Sequence, residues 1–261
     1  MFDGVTTNHS VLNKVKNMSL KGPLILIPCH KSHIDYLILD YLLYHNNMQV
    51  PHIAAGKNLS FWPMGPIFRS GGAFFLRRSF RGAVLYARVF AEYIHKLLEE
   101  GYNIEQFIEG GRSRTGRLLK PKPGMLAMTV RAFLKYRKRP VAFIPVYVGY
   151  EKMIEGKAYL AELSGHDKKA ESLFTSVRSI LGIKGNFGHV YTSFGTPVML
   201  TNHLDKHSPN WLIQEYDDTH RPGWLKDTVN DIADHIMVNI NSAAHVNAIN
   251  LVSTVLLATP K

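Results

Sequence analysis

The sequence predicts an α/β fold built as a single sheet flanked by helices. Three observations carry that expectation. Short β-rich runs alternate with helical segments, 46% of the 261 residues are hydrophobic, and no stretch of about 18 apolar residues runs uninterrupted. Such a chain has enough apolar material for a sizeable core, and no membrane span is expected in it.

The first strand is Leu24–Pro28, read as LILIP. Ser32 and Asp35 follow with the spacing of a capping box, so a helix is expected to start at Ser32 and carry Asp35 in its first turn. Val50–Ala55 and Ala73–Leu76 are the next strands. From Phe80 to Glu100, Leu85, Val89, Tyr93 and Leu97 recur every four residues, which predicts a helix laying that stripe on the sheet and stopping at Gly101. Asn103–Ile108 and Val141–Val148 read as further strands, and Pro145, lacking a backbone donor, places the second of them at an edge or bulge. Between Lys152 and Gly188 the pattern is polar and irregular, before the strand His189–Phe194. A long helical tract from Trp224 to about Ala258, marked by Ile232, Ile236, Ile240 and Ala243, closes the chain.

The net charge of +11 is concentrated: residues 69–139 hold 16 Lys and Arg against 5 Asp and Glu, and the rest balances at 15 of each. A field so placed attracts phosphates, whether on a small substrate, an anionic lipid surface, an acidic protein or a nucleic acid. The lone Cys29 allows no internal disulfide, which fits a reducing compartment. No secretory signal peptide is expected.

Four stretches can carry chemistry. In PCHKSHIDY, His30 lies at the end of the first strand and Asp35 at the start of the helix. Two positions five apart within one helix point about 140° apart, whereas a strand-to-helix bend can fold the carboxylate under the imidazole. Asp35 would then orient one ring nitrogen and leave the other as a base toward a hydroxyl. A helix-capping Asp35 beside an ordinary His30 and His33 is the bland alternative. Cys29 points to the opposite face and reads as a buried thiol, and the spacing of His30, His33 and Asp35 matches no common metal-ligand pattern. In GGAFFLRRSF a short strand delivers Arg77 and Arg78 to opposite faces, one of them toward a cleft as a phosphate fork. In FIEGGRSRTGRLL, Gly110 and Gly111 permit backbone amides to face an anion, Arg112, Arg114 and Arg117 add charge, and Glu109 is expected to fix an arginine or a substrate hydroxyl. The segment lacks the order of a nucleotide P-loop. VAFIPVYVGYE, with Pro145, is the fourth.

In this order the four stretches, HKSHID, GGAFFLRR, FIEGGRS and IPVYVGYE, resemble the four blocks of the glycerolipid acyltransferase superfamily. The resemblance is greatest to the long bacterial membrane-bound glycerol-3-phosphate acyltransferases, and it runs from about Pro28 to the WLKDTVNDIADHIMVNINSAAHVNAINL tract. It implies one acyltransferase domain over residues 1–261, with a catalytic core at 20–200 and a mainly helical extension at 201–261. It further implies transfer of a fatty acyl group from acyl carrier protein or coenzyme A to the first hydroxyl of glycerol 3-phosphate, with no acyl-enzyme and no cofactor. His30 becomes the general base with Asp35 as its partner, and Glu109 and Gly110 support catalysis. Arg77, Arg78, Glu109, Arg112, Arg114 and Pro145 are expected around the substrate. The implied location is peripheral, on the cytoplasmic face of the bacterial inner membrane, with an anionic membrane surface and no nucleic acid as partner. Members of this long type carry regions before and after the core, so the chain is expected to be part of a longer protein. Rival expectations are an acyltransferase acting on dihydroxyacetone phosphate or lysophosphatidate, a hydrolase activating water with the same pair, and a non-catalytic module binding anionic lipid or nucleic acid.

Overall fold

The computed structural model describes residues 2–77, 82–165, 185–216 and 222–259. Within them β1 (Gly4–Thr7), β2 (Leu24–Pro28), β3 (His52–Gly56), β4 (Ala73–Leu76), β5 (Ile104–Glu105), β6 (Ala142–Tyr150), β7 (His189–Phe194) and β8 (Val198–Met199) form one sheet. The helices are α1 (His9–Ser19), α2 (Asp35–His45), α3 (Met64–Ser70), α4 (Val84–Glu100), α5 (Gly124–Tyr136), α6 (Gly156–Leu163), α7 (Leu200–His207), α8 (Leu225–Ser242) and α9 (Ala248–Ala258). The expected α/β class with one helix-flanked sheet is what forms.

The sheet runs β1-β7-β6-β2-β5-β3-β4, with β8 added to β6. It is parallel from β6 through β2, β5 and β3 to β4, and β6 pairs antiparallel with β7 and β8. All five residues of β2 are buried, as a parallel strand covered by helices on both faces requires. Because β2, β3, β4, β5 and β6 point the same way, the segments leaving their carboxyl ends gather on one edge of the sheet. Open α/β sheets bind ligands at that edge.

Several elements depart from expectation. β5 is two residues long, because the chain turns away after Gln106, whose N–H still reaches the Leu26 carbonyl at 3.0 Å. Strands β1 and β8 were not foreseen, being too short for a periodic pattern. β6 is central, not an edge, yet Pro145 is tolerated there for a local reason. Its carbonyl accepts from Gly195 N–H at 2.8 Å, so its own missing donor faces the side where the partner changes from β8, paired at Ala142 and Phe143, to β7, paired from Val146 onward.

Helix α4 ends at Gly101 as expected, with φ of 82° in the left-handed region. Its buried stripe is Phe90, Ile94, Leu97 and Leu98, whereas Leu85 and Val89 are 77% and 60% exposed. Steps of four residues rotate about 40° each, so the regular series from Leu85 to Leu97 drifts off any single face. The closing tract is two helices. α8 buries Ile232, Ile236 and Ile240, after which Asn247 and Asn250 form a reciprocal capping box that starts α9 afresh.

Candidate active site

The loop after β2 carries His30 to the carboxyl edge of the sheet, and α2 begins at Asp35 rather than Ser32. The N-terminal cap position belongs to Ile34, without a side-chain cap, while the Ser32 hydroxyl donates to Glu155 Oε2 at 2.8 Å. Asp35 instead turns its carboxylate back over the loop. Oδ2 accepts Lys31 N–H at 2.7 Å and Ser32 N–H at 2.9 Å, and Oδ1 accepts the Tyr150 hydroxyl at 2.5 Å. These fixed partners are all donors. The remaining contact, His30 Nδ1 to Oδ2 at 2.9 Å, is therefore an Nδ1–H donation, and in the neutral imidazole this puts the lone pair on Nε2.

The His30 main chain is clamped on both sides. Its N–H donates to Glu109 Oε1 at 2.8 Å, and its carbonyl accepts from Ser113 N–H at 2.7 Å. The ring lies over Phe107 with centroids 4.0 Å apart. Glu109 was expected to hold an arginine or a substrate hydroxyl; its second oxygen instead accepts Leu119 N–H at 2.7 Å, so both oxygens are committed to backbone. Burial pushes its carboxyl up. Gly110 takes a positive φ of 60°, as anticipated, but its N–H turns inward to the Phe107 carbonyl at 3.0 Å rather than out toward an anion.

Among the described residues, Arg112 is a predicted arginine whose charge reaches His33. Its Nη1 donates to the Tyr159 hydroxyl at 2.8 Å and lies 3.6 Å from Glu155, and Tyr159 in turn donates to the Lys31 carbonyl at 2.9 Å. Burial, and then the charge of Arg112, hold His33 down at about 4, so this ring is neutral near pH 7. Arg114 pairs with Glu162 at 2.5 Å. Arg77 is exposed and stacks on Tyr86 with its guanidinium 4.8 Å from the ring centre, outside the cluster. Arg78 lies outside the described residues. Pro145 is buried in the sheet against Gly195 and is not brought to the histidines. The buried Cys29 thiol is hydrogen-bonded at the Val148 backbone, and burial pushes it up to about 11.

Beside His30 and His33 opens a cavity of about 420 Å³. Its walls are largely apolar, from Leu37 on α2, Ile53 on β3, Met64, Ile67 and Phe68 on α3, and Phe107 after β5. Tyr36 and Asp40 line its α2 wall. Asp40 Oδ1 and both oxygens of the fully buried Glu105 have no hydrogen-bond partner among the described residues. Burial raises the Asp40 carboxyl to about 7 and Glu105 well above the ordinary carboxylate range.

A carboxyl raised in this way keeps its proton in the folded chain at pH values where the unfolded chain has lost it. Its favourable share of stability is complete below about pH 4 and disappears as pH rises through about 7. Asp40→Asn should therefore flatten the fall in stability between pH 4 and 8. At about 1.4 kcal/mol per pKa unit, reduced for solvent reaching the cavity mouth, the gain at pH 8 is about 2 kcal/mol. Urea melts across that range measure it, and parallel pH profiles for the two proteins would count against a buried, protonated Asp40.

Tyr150, Glu155, Tyr159, Asp40 and Phe107 have roles that sequence reasoning did not assign. Signals existed for Phe107, which opens the third block, and for Tyr150, the last aromatic of the fourth.

A family model described as acyltransferase matches residues 8–149, and one described as glycerol-3-phosphate acyltransferase C-terminal region matches residues 159–261. The chain is 47% identical over all 261 residues to proteins named glycerol-3-phosphate acyltransferase from Pseudomonas aeruginosa and Pseudomonas fluorescens, and 46% identical to that of Pseudomonas entomophila. It spans 31% of the length of these curated relatives. A solved structure, the 1-acyl-sn-glycerophosphate acyltransferase of Thermotoga maritima, aligns over 94% of this chain and 74% of its own with 17% identity and a TM-score of 0.45. With the acyltransferase model covering more than half of its residues, including the His30–Asp35 pair and the Glu109 loop, the chain belongs to the acyltransferase family.

Proposed function

We propose that this chain is the acyl-transfer domain of a glycerol-3-phosphate 1-O-acyltransferase. It moves a fatty acyl group from an acyl-carrier-protein or coenzyme A thioester to the first hydroxyl of glycerol 3-phosphate. The observation that carries this reading is a histidine with Nδ1 committed to a buried carboxylate, set beside an apolar cavity of about 420 Å³. The cavity suits an acyl chain. The free Nε2 suits a hydroxyl to be deprotonated, and Arg112, beside His33, supplies the charge for a phosphate.

In the reaction, Nε2 of His30 takes the proton of the glycerol hydroxyl as its oxygen bonds to the thioester carbonyl carbon. The tetrahedral adduct collapses with cleavage of the C–S bond, and the proton held on His30 passes to the departing sulfur. Two observations favour this direct route over an acyl-enzyme. The Cys29 thiol is buried and pushed up to about 11, and the Ser32 hydroxyl is tied to Glu155. Asp35 steadies the imidazolium that forms and keeps its tautomer.

A peripheral seat on the cytoplasmic face of the bacterial inner membrane belongs to the same reading. No helix of the described residues is long and apolar enough to cross a membrane. Trp62 and Ile67, at or beside the α3 wall of the cavity, are 84% and 56% exposed, and such side chains favour a lipid interface.

The test is a labelled acyl thioester supplied with or without glycerol 3-phosphate. Acyl transfer that requires this acceptor, over dihydroxyacetone phosphate and lysophosphatidate, is expected. Thioester cleavage that proceeds equally without acceptor would make the domain a hydrolase. In the same assay Arg112→Ala should raise the KM for glycerol 3-phosphate about tenfold or more with a smaller change in kcat, and an unchanged KM would remove the phosphate contact.

A further inference from the structure

Away from the cavity, side chains able to bind a metal converge where α7 meets α8. His203 and His207 stand one turn apart on α7, and Asp231 and His235 one turn apart on α8, so each pair shares a helix face. Asp231 Oδ2 lies 2.9 Å from His203 Nδ1 and 3.0 Å from His207 Nε2, and Oδ1 lies 3.4 Å from His235 Nδ1. One ligand atom from each of His203, Asp231 and His235 lies within 4.8 Å of the other two. In a tetrahedral site with bonds of about 2.0–2.1 Å, neighbouring ligand atoms sit about 3.3 Å apart, close to the 2.9 and 3.4 Å that separate the Asp231 oxygens from His203 and His235.

The surroundings agree with such a site. His235 Nδ1 also meets the Asp231 carbonyl at 2.8 Å, the kind of backbone contact that orients the second nitrogen of a ligating ring. The competing cation, Lys206, reaches Asp231 Oδ2 at 3.0 Å, but its side chain is 60% exposed and can swing into solvent. Imidazoles with one carboxylate favour Zn²⁺ and its neighbours over Ca²⁺ or Mg²⁺.

We propose that His203, Asp231 and His235 bind one divalent transition-metal ion of the Zn²⁺ class. The ion pins α7 to α8, and α8 packs on β6, the strand whose Tyr150 holds Asp35. The role is structural, and it lies outside the acyl-transfer chemistry.

Zn²⁺ titrated into the untagged chain against a chromophoric chelator is expected to bind at one equivalent. Co²⁺ in its place should give the intense visible absorption of a tetrahedral ion. His203→Ala and His235→Ala should each weaken Zn²⁺ binding at least about tenfold. Lys206→Ala, which removes the competitor, should leave binding unchanged or tighter. Absence of stoichiometric uptake, a Co²⁺ spectrum without tetrahedral bands, or native Zn²⁺ affinity in both histidine variants would overturn the proposal. Circular dichroism separates loss of a ligand from loss of the fold, and where a variant does not fold the Co²⁺ spectrum of the native chain decides.

Discussion

Replacing His30 with alanine is expected to lower acyl transfer by about a thousandfold while the chain stays folded. General-base catalysis by a positioned imidazole contributes about 10²–10⁴ to rate, and Nε2 of His30 is the ring nitrogen not engaged by Asp35 beside the cavity. The fold should survive because the anchoring at this position is by main chain: the N–H to Glu109 and the carbonyl from Ser113 persist in alanine. What is lost is the ring on Phe107 and the Nδ1–H donation. Turnover by purified His30→Ala, with circular dichroism as the control, measures the effect. Transfer at the native rate would end the base assignment. A variant that also unfolds would be answered by His30→Gln, which keeps a polar side chain of similar reach without a base in this pH range.

The second large effect is expected at Asp35, where activity and stability fall together. The carboxylate is fully buried and accepts from two backbone N–H groups, one hydroxyl and one imidazole. Asp35→Ala leaves those donors without a partner in a closed site, at a cost of about 3–5 kcal/mol in unfolding free energy. Asp35→Asn is the sharper variant. The amide retains one acceptor oxygen but presents an NH₂ to donors on the other side, so the loss of stability should be smaller. His30 would then be free to take the wrong tautomer, and kcat should drop about 10³-fold or more. Urea denaturation with single-turnover kinetics separates the two. An Asp35→Asn protein with native kcat would reduce Asp35 to a structural role.

How much of this site could be read along the chain follows from how far apart its parts lie. His30 and Asp35 are five residues apart across a strand end and a helix start, so their meeting was visible in the spacing. The reason the helix begins at Asp35 was not, because Ser32 is drawn away by Glu155, 123 residues distant. Tyr150 closes on Asp35 over a separation of 115 residues, and only the parallel pairing of β2 with β6 brings them together. The arginine-rich loop was legible as a place of charge and turning backbone, but not in its division of labour. Glu109 took the backbone instead of an arginine, since a buried carboxylate is best satisfied by fixed N–H donors.

The same distinction holds for the fold. Composition and alternation by themselves determined an α/β sheet flanked by helices, because runs of apolar residues with strand or helix period must bury their faces whatever the topology. The motif order by itself marked the family and singled out His30 with Asp35. Tertiary structure alone decided that β6 is central, that α4 buries Phe90, Ile94 and Leu98 along with Leu97 of the regular series, and that α3 and Phe107 line a cavity beside His30. Those outcomes depend on which surfaces meet. A local pattern records how a segment divides polar from apolar, while the partner that covers it is chosen by packing among elements far apart in the chain.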